Sequence, residues 1–374
     1  MKKQTLLFIF GTRPEAIKLA PLIKVFKQRK EFTTLVCVTA QHRQMLDQVL
    51  SFFEIAPDYD LDIMLPNQTL FDVTAAALKK LEVVLTESKA DCVFVQGDTT
   101  SAFVGALAAY YKKIKVAHIE AGLRSHDKYS PFPEEMNRTL AGHIADFHFT
   151  PTAQAVEHLK KENISKNVYN VGNTVIDALF LGLEQVRNRK SKVDFSFLRN
   201  GKRMVLITGH RRESFGKPFE DICYAISTLA MKYPDVDFLY PVHLNPNVQE
   251  PVKRLLANKI NVHLIEPLEY PEFILMIERS YIVLTDSGGL QEEAPSLGKP
   301  VLVMREVTER MEGVVAGTAK LVGTNKELII SEMSTLLDDA VAYEKMAKAV
   351  NPYGDGTSCT QIADIIHKLL VQTI

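Results

Sequence analysis

Two acidic residues lie just past the ends of predicted strands, and a third opens a helix. Asp98 follows the apolar run Cys92–Gln96, and Glu120 follows Val116–Ile119. Glu134 begins the helical pattern that comes next along the chain. In α/β proteins ligands bind at the carboxyl ends of parallel strands, so these side chains are expected near one site. Carboxylates gathered in this way are suited to general acid–base chemistry.

Ordinary structural roles compete with this interpretation. Aspartate is a favoured helix N-cap, so Asp98 is also explained as a cap. Glu134 and Glu135 would stabilise the beginning of their helix through its dipole, whatever the protein does. Glutamate is not a favoured cap, so the position of Glu120 is the one that most favours a functional role.

A glycine-containing turn in the second half of the chain is the strongest local signal. Ser287-Gly288-Gly289 lies just after the predicted strand Tyr281–Thr285 and before a helical pattern. Such a turn offers backbone N–H groups to a diphosphate. Glu293 falls about one helical turn further on, where a carboxylate can accept hydrogen bonds from ribose hydroxyls. Arg310 is a candidate phosphate partner.

Basic residues also follow predicted strands. Arg13 is placed for a phosphate at the start of the helix after the first strand, and Lys18 lies one turn further along. A capped helix with solvated charges explains this turn equally well. His210 follows the strand Met204–Thr208, where it could contact phosphate or transfer a proton. His243 has a similar position after the next strand, and for such histidines a structural role is as well supported as a functional one.

Several motifs are missing from the sequence. No GxGxxG follows a predicted strand and no GxxxxGK[ST] is present, so we expect neither NAD nor ATP hydrolysis. There is no HExxH, no paired cysteine and histidine set, and no DxD-like acidic pair suited to Mg²⁺–phosphate, so we expect no metal. His118-x-Glu120 is similar to the HxE of zinc deaminases, but the PCxxC of their site is absent.

The elements that must position these residues follow a regular order. Short apolar runs alternate with amphipathic stretches, which is typical of parallel βαβ units and predicts an α/β fold. The predicted strands are Thr5–Phe10, Leu35–Thr39, Cys92–Gln96, Val116–Ile119, Phe147–Thr150, Met204–Thr208, Val236–Pro241, Ile260–Ile265, Tyr281–Thr285 and Pro300–Met304. The predicted helices include Ala16–Lys27, Gln44–Phe53, Leu70–Glu87, Ser101–Tyr111 and Asn173–Arg189.

The length of 374 residues and a polar, basic region at 188–202 indicate two domains. We predict an N-terminal domain over residues 1–171 and a C-terminal domain over residues 172–356. A last helix, within residues 357–374, is expected to return to the first domain. The natural ligand site of two such domains is the cleft between them.

Charge and composition limit the partners. The chain has 44 Lys+Arg and 45 Asp+Glu, which argues against a nucleic-acid surface or an anionic membrane as the main partner. No apolar run approaches the length of a membrane-spanning helix, and Leu6–Phe10 is too short for the core of a signal peptide. The four cysteines are far apart and predict free thiols in a reducing cytoplasm. We therefore expect a cytoplasmic protein.

The motifs taken together resemble the non-hydrolysing UDP-N-acetylglucosamine 2-epimerases of bacteria, over nearly the whole chain. The matching stretches are FGTRPEAIK at 10–18, VTAQHRQMLDQVL at 38–50, GDTT at 97–100, EAGLR at 120–124, SPFPEEMNR at 130–138, GNTVIDAL at 172–179, GHRRESFG at 209–216, YPVHLNPNV at 240–248, TDSGGLQEEAPSLGKPVLV at 285–303 and NPYGDG at 351–356.

This resemblance implies a glycosyltransferase-B-like architecture, in which two Rossmann-like domains face each other across a cleft. It implies the interconversion of UDP-GlcNAc and UDP-ManNAc without NAD or metal, supplying ManNAc units for cell-surface polysaccharide. UDP would leave C1 and C2–H would be removed, giving 2-acetamidoglucal, to which UDP then adds back. It also implies that the chain forms a homodimer.

The resemblance also assigns roles to particular residues. Asp98, Glu120 and Glu134 would be the acid–base carboxylates, and His210 is included in the catalytic set. The residues expected to contact UDP or the sugar are Arg13, Lys18, Asp98, Glu120, His210, Leu268, Phe273, Ser287, Gly288, Gly289, Glu293 and Arg310.

Some members of this family bind a second UDP-GlcNAc as an activator. The residues here that match that second site are Gln41, Gln44, Glu134, Arg211 and His243. Asn67 departs from the arginine of regulated members, which puts strong activation in doubt. Gln96 stands where histidine commonly precedes GDTT, and Met311 where proline commonly occurs; we expect modest effects from both.

Three other functions fit parts of the pattern. A UDP-sugar glycosyltransferase would share the architecture and the phosphate sites, but the set of carboxylates favours the epimerase. A hydrolysing epimerase would release free ManNAc. A catalytically silent nucleotide-sugar sensor would need none of the acid–base groups. Analysis of the products separates all of these functions.

Overall fold

In the computed structural model, the described residues are 3–39, 43–64, 67–187, 195–199 and 201–372, without the side chains of residues 43 and 44. The chain forms two compact units. Unit 1 comprises Met1–Leu181 and Tyr353–Ile374, and unit 2 comprises Gly182–Pro352.

The limits of the units differ somewhat from the predicted domain boundaries at residues 171 and 357. Unit 1 extends further because the chain after Val171 pairs with the C-terminal segment. The Asn173 N–H donates to the Tyr353 carbonyl at 2.7 Å. The Cys359 N–H donates to the Asp177 carboxylate at 2.9 Å. These bonds tie both stretches to unit 1.

Unit 1 is built on a parallel sheet with the order β3-β2-β1-β4-β5-β6-β7 among the described residues. Its strands are β1 Gln4–Phe10, β2 Phe32–Val38, β3 Tyr59–Asp60, β4 Cys92–Gln96, β5 Lys115–Ile119, β6 Phe147–Thr150 and β7 Val168–Asn170. The central strands are buried along their apolar runs, as expected for a parallel sheet covered on both faces.

Helices connect the strands of unit 1. They are α1 Arg13–Lys27, α2 Arg43–Phe52, α3 Leu70–Ser88, α4 Thr100–Tyr111, α5 Glu134–Ile144, α6 Ala153–Lys161 and α7 Thr174–Arg187, and the limit of the unit falls within α7.

Unit 2 repeats this plan with the strand order β10-β9-β8-β11-β12-β13. Its strands are β8 Met204–Thr208, β9 Asp237–Pro241, β10 Val262–Ile265, β11 Ile282–Thr285, β12 Val301–Val303 and β13 Ala319–Leu321. Its helices are α8 Lys217–Lys232, α9 Pro246–Leu256, α10 Tyr270–Arg279, α11 Gly288–Glu293, α12 Met311–Ala316, α13 Lys326–Asp338 and α14 Ala340–Ala347, with 3₁₀ turns at Arg212–Ser214 and Ala294–Leu297.

The last helix, α15 Ser358–Leu370, packs against α1 and belongs to unit 1. It buries Ile362 and Ile366 completely. Arg29 Nη2 lies 2.5 Å from Asp364 Oδ1 at the surface. No helix in the described part of the chain is long and apolar enough to cross a membrane.

Candidate active site

The turn after β1 is fixed by a buried glutamate that is not among the predicted site residues. Glu15 accepts hydrogen bonds from the N–H groups of Gly11 at 3.0 Å and Thr12 at 2.8 Å, which completes a capping box for α1. Its other oxygen accepts the Thr99 hydroxyl proton at 2.7 Å. The spacing Thr12-x-x-Glu15 is the sequence pattern of a capping box and could have identified Glu15. Glu15 therefore ties the start of α1, which begins at Arg13, to the loop after β4.

Asp98 is not the N-cap of α4. That role belongs to Thr99, whose hydroxyl accepts a hydrogen bond from Ala102 N–H at 3.0 Å. The Asp98 carboxylate instead lies 2.9 Å from Arg138 Nη2 of α5. The Asp98 carbonyl accepts a hydrogen bond from Asn137 Nδ2 at 3.0 Å. The capping explanation of Asp98 is therefore wrong, and two side chains of α5 hold this residue in place.

The electrostatics of Asp98 show which groups are its neighbours. Burial raises the pKa of the Asp98 carboxyl above its ordinary value. The carboxylates of Glu120 and Glu134 also raise this pKa, whereas Arg138 and Lys18 lower it. The structure thus brings together four predicted site residues of unit 1, because Lys18, Glu120 and Glu134 all act on the charge of Asp98.

Glu120 is a buried carboxylate with several donors. It follows β5 and is 9% exposed. The Lys18 ammonium forms an ion pair with Glu120 Oε1, and Asn173 Nδ2 donates to the same oxygen at 3.0 Å. Gln96 Nε2 donates to Oε2. Nothing in the sequence predicts these roles for Gln96 and Asn173, because no local pattern links them to Glu120.

Glu134 and Glu135 open α5 but differ in their contacts. Glu135 is buried, and its two oxygens accept the N–H groups of Ser125 and His126, each at 2.9 Å. Glu134 Oε2 is also buried, yet it has no hydrogen-bond partner among the described residues. Glu135 is thus explained by the fold, whereas Glu134 keeps a buried oxygen available for another group.

In unit 2, Asp286 fixes the loop that carries His210. Its Oδ2 accepts the N–H groups of His210 at 2.6 Å and Arg211 at 2.8 Å. Arg211 Nε donates to the Asp286 carbonyl at 2.9 Å. His210 Nδ1 lies 3.4 Å from Asp286 Oδ1, a buried oxygen. Asp286, at the carboxyl end of β11, therefore sets the orientation of the His210 loop after β8.

The His210 ring stacks on His243, with centroids 5.2 Å apart and an angle of 14° between the planes. Burial lowers the pKa of His243, and His210 lowers it further. His243 Nδ1 accepts the Asn245 N–H at 3.1 Å. The loops after β8 and β9 thus meet through these two predicted histidines.

A pocket of about 750 Å³ lies beside this loop and is lined by His210, Arg211, Arg212, Glu213 and Ser287. Its volume is in the range of small-molecule sites, and its lining is mostly polar and cationic. An anion fits this chemistry. The pocket therefore joins the predicted His210 and Ser287.

The glycine turn and Arg310 also come together. A Cβ at Gly288 would lie 3.5 Å from the Arg310 guanidinium, and one at Gly289 would lie 3.6 Å from Glu293 Oε2. Arg310 Nε donates to buried Glu292 at 2.8 Å. The absence of side chains at both glycines thus leaves room next to a cation and a carboxylate.

The remaining predicted residues either do not line this pocket or lie outside the described residues. Leu268 is half-buried in the loop before α10, Phe273 is half-buried in α10, and neither lines the described pocket. Gln41 and the side chain of Gln44 lie outside the described residues. Asn67 is exposed in a left-handed conformation with φ 58°. Within the described residues, no group of three or more His, Cys, Asp or Glu side chains could hold a metal ion.

Comparison with known proteins gives one consistent result. The UDP-N-acetylglucosamine 2-epimerase family model matches residues 24–367. An enzyme of that name from Campylobacter jejuni is 54% identical over 97% of this chain and 97% of its own length. The Escherichia coli K12 enzyme is 51% identical over 96% of this chain and 97% of its own length.

The solved structure of UDP-GlcNAc 2-epimerase from Neisseria meningitidis, bound to UDP-GlcNAc, is 49% identical and covers 98% of this chain and 100% of its own. Its TM-score is 0.89. This likeness confirms the predicted fold class, α/β with two Rossmann-like domains of the glycosyltransferase-B-like type. The chain therefore belongs to the UDP-N-acetylglucosamine 2-epimerase family.

Proposed function

We propose that this protein interconverts UDP-GlcNAc and UDP-ManNAc by eliminating UDP and adding it back. The C1–O bond breaks with its electron pair going to UDP, and a carboxylate takes the proton from C2, so that a C1=C2 double bond forms in 2-acetamidoglucal. In the return step, C2 receives a proton on the opposite face and a UDP oxygen bonds to C1. No step of this elimination and addition transfers a hydride, so the mechanism needs no NAD, and we propose that it needs no metal either.

The observation that carries this proposal is the set of three acidic residues in unit 1. Proton removal and return on two faces of C2 need more than one acid–base group. Glu120 and Glu134 both act on the Asp98 carboxyl, and burial together with these two carboxylates raises its pKa. Carboxyls in different environments are what acid–base catalysis uses. Lys18 and Arg13 would stabilise negative charge on UDP as it leaves.

We propose that unit 2 binds UDP. The backbone at Ser287, Gly288 and Gly289 would receive the diphosphate, together with Arg310 and His210. Glu293 would accept hydrogen bonds from the ribose hydroxyls. The uracil would contact Phe273 and the backbone near Leu268. His210 also completes the proposed catalytic set.

The cellular setting of this activity is part of the proposal. We place the activity in the cytoplasm, which the four free and buried cysteines support. The product would supply ManNAc units for cell-surface polysaccharide. We further propose that the chain acts as a homodimer.

Regulation by a second UDP-GlcNAc is proposed to be weak in this protein. The residues involved would be Gln41, Gln44, Glu134, Arg211 and His243, with Asn67 replacing an arginine. An amide cannot supply the charge that an arginine gives to a phosphate. Initial rates from UDP-ManNAc without added UDP-GlcNAc are expected to be hyperbolic, and a strict requirement for UDP-GlcNAc would contradict this.

The decisive test is proton NMR of UDP-GlcNAc with the pure protein in D₂O, with EDTA and no added NAD. UDP-ManNAc that carries deuterium at C2 is the expected product. Free ManNAc and UDP as the sole products would identify a hydrolysing enzyme instead. A folded protein that binds UDP but exchanges no C2 proton would favour a glycosyltransferase or a sensor.

A further inference from the structure

His118 is a fully buried polar residue of β5 that the proposed chemistry does not use. It lies two residues before Glu120, and its Nε2 is 2.7 Å from the Gly97 carbonyl oxygen of the turn after β4. Gly97 immediately precedes Asp98. One imidazole therefore links the strand that ends at one proposed catalytic carboxylate to the turn that carries another.

The chemistry of this contact defines the state of the ring. A carbonyl oxygen only accepts, so Nε2 carries the proton and donates it. Burial lowers the pKa of His118 to about 4, so the ring is neutral in the physiological range. Its Nδ1 is buried without a partner among the described residues. Among the described residues, this buried ring therefore makes its hydrogen bond to the Gly97 carbonyl and none through Nδ1.

A second hydrogen bond joins this turn to β5, and here the turn is the donor. Gly97 has φ 67°, a left-handed conformation that favours glycine, and its N–H donates to the Ile119 carbonyl at 2.9 Å. His118 satisfies the carbonyl of the same residue. With both backbone polar groups of Gly97 bound to β5, the direction in which the chain enters Asp98 is fixed independently of the contacts of the Asp98 side chain.

We propose that His118 is a positioning residue for Asp98, acting through the carbonyl of Gly97. This inference rests on the proposed function, in which the Asp98 carboxyl takes part in proton transfer at C2. Displacement of a catalytic group by about 1 Å can lower a rate by about 100-fold. The imidazole would then matter for turnover and much less for binding of the UDP portion.

Four variants test the proposal. His118→Gln places an amide nitrogen at the reach of Nε2 and keeps a donor for Gly97. His118→Asn is shorter and does not reach, and His118→Leu removes the donor. The matched control is His148→Leu, because His148 is the register partner of His118 on β6, is buried, and also has an unpartnered Nδ1. No hydrogen bond joins His148 to Gly97 among the described contacts.

The measurements are kcat, KM for UDP-GlcNAc, Kd for UDP, and Tm. We expect His118→Leu and His118→Asn to lose about 10- to 100-fold in kcat, with Kd for UDP within about twofold of wild type. His118→Gln should recover most of that loss. His148→Leu should lower Tm but leave kcat within about threefold. If the leucine variant does not fold, the glutamine and asparagine variants decide the question in the same way.

Two results would overturn the proposal. One is a kcat that stays near wild type in His118→Asn. The other is a loss in His148→Leu as large as in the His118 variants, which would indicate a general effect of core damage. An inactive wild type, or an active Asp98→Asn variant, would instead refute the proposed function, so the two failures are distinguishable.

Discussion

Glu120 combines a strained backbone with a heavily bonded side chain. Its φ of 63° lies in the left-handed region, which non-glycine residues adopt at a cost of roughly 1–3 kcal/mol. Lys18, Gln96 and Asn173 nevertheless all bind its carboxylate. These three bonds hold the carboxylate in position despite the backbone strain. A carboxylate that is in position before substrate binds is what pre-organised catalysis requires.

Removing the charge of one proposed acid–base carboxylate should slow turnover strongly and leave the fold intact. Asp98→Asn keeps an oxygen that can accept from Arg138, so its stability should stay near that of wild type. We expect its kcat to fall by about 10²- to 10⁴-fold. Glu120→Gln should show an equally large fall in kcat. Its new amide nitrogen would face the donor groups of Lys18, Gln96 and Asn173.

Both variants are measured by UDP-ManNAc formation, with circular dichroism and Tm as the control for folding. Near-normal turnover in both would remove these residues from the catalytic set. Loss of turnover with loss of the folded signal in Asp98→Asn would mean that the aspartate is structural.

Gln96 has a role of its own at the residue scale. Its amide donates to Glu120 Oε2 from the end of β4. Gln96→Leu removes a hydrogen bond to a charged group, which is worth roughly 1.5–3 kcal/mol, so kcat is expected to fall by about 10- to 100-fold. Gln96→His keeps a donor and is the matched control, with a kcat expected within a few-fold of wild type. Equal rates for the leucine and histidine variants would show that this bond does not affect catalysis.

At the scale of elements, apolar runs were sufficient to locate the long strands. β1 and β4 were predicted within one residue at each end, because their burial forces a continuous apolar run. β3, β7 and β13 were not predicted. Each has only two or three residues and is partly exposed, so it leaves no apolar run to recognise.

Candidate site residues could be predicted only where a charged or polar side chain follows a predicted strand. Asp98, Glu120 and His210 occupy such positions, and the structure surrounds each with charged partners. Their supports are far away in the sequence: Asn173 lies 53 residues from Glu120, and Asp286 lies 76 residues from His210. Tertiary folding alone brings such pairs together, and no spacing rule in a single sequence reveals them.

The capping box of α1 should make stability depend on pH. Burial raises the pKa of Glu15 from 4.5 to about 7 in the folded state. The folded protein therefore binds this proton more tightly than the unfolded chain. The resulting stabilisation is complete below about pH 4.5 and is lost as the pH rises through about 7. Glu15→Gln cannot titrate and should not show this loss.

The measurement is urea unfolding of wild type and Glu15→Gln at several pH values from about 5 to about 8. The free energy of unfolding of wild type, minus that of the variant, should fall on the order of 3 kcal/mol across this range. The neutral, buried His118 and His148 make both proteins less stable in acid, and the subtraction removes their effect. A difference that rises or stays constant with pH would contradict the assignment.

For the whole molecule, the proposed chemistry is divided between the units. The acid–base carboxylates belong to unit 1, and the pocket with its cations belongs to unit 2. A net charge of −1 leaves long-range electrostatics weak, so local groups must attract the substrate. Substitutions in the glycine turn of unit 2 are therefore expected to weaken binding of UDP, and substitutions of the unit 1 carboxylates to slow proton exchange at C2.

The proposed homodimer has a candidate surface on unit 1. Helices α3, α4 and α5 pack side by side, and Phe71 is 86% exposed at the start of α3, with Val83, Tyr110 and Tyr111 also exposed. Burial of such side chains favours association. Light scattering should give twice 42.0 kDa for wild type and a shift towards 42.0 kDa for Phe71→Glu. Val350→Glu, at an 83% exposed site of unit 2, is the matched control and should stay dimeric. A wild type of 42.0 kDa would refute the dimer, and a dimeric Phe71→Glu would refute this surface.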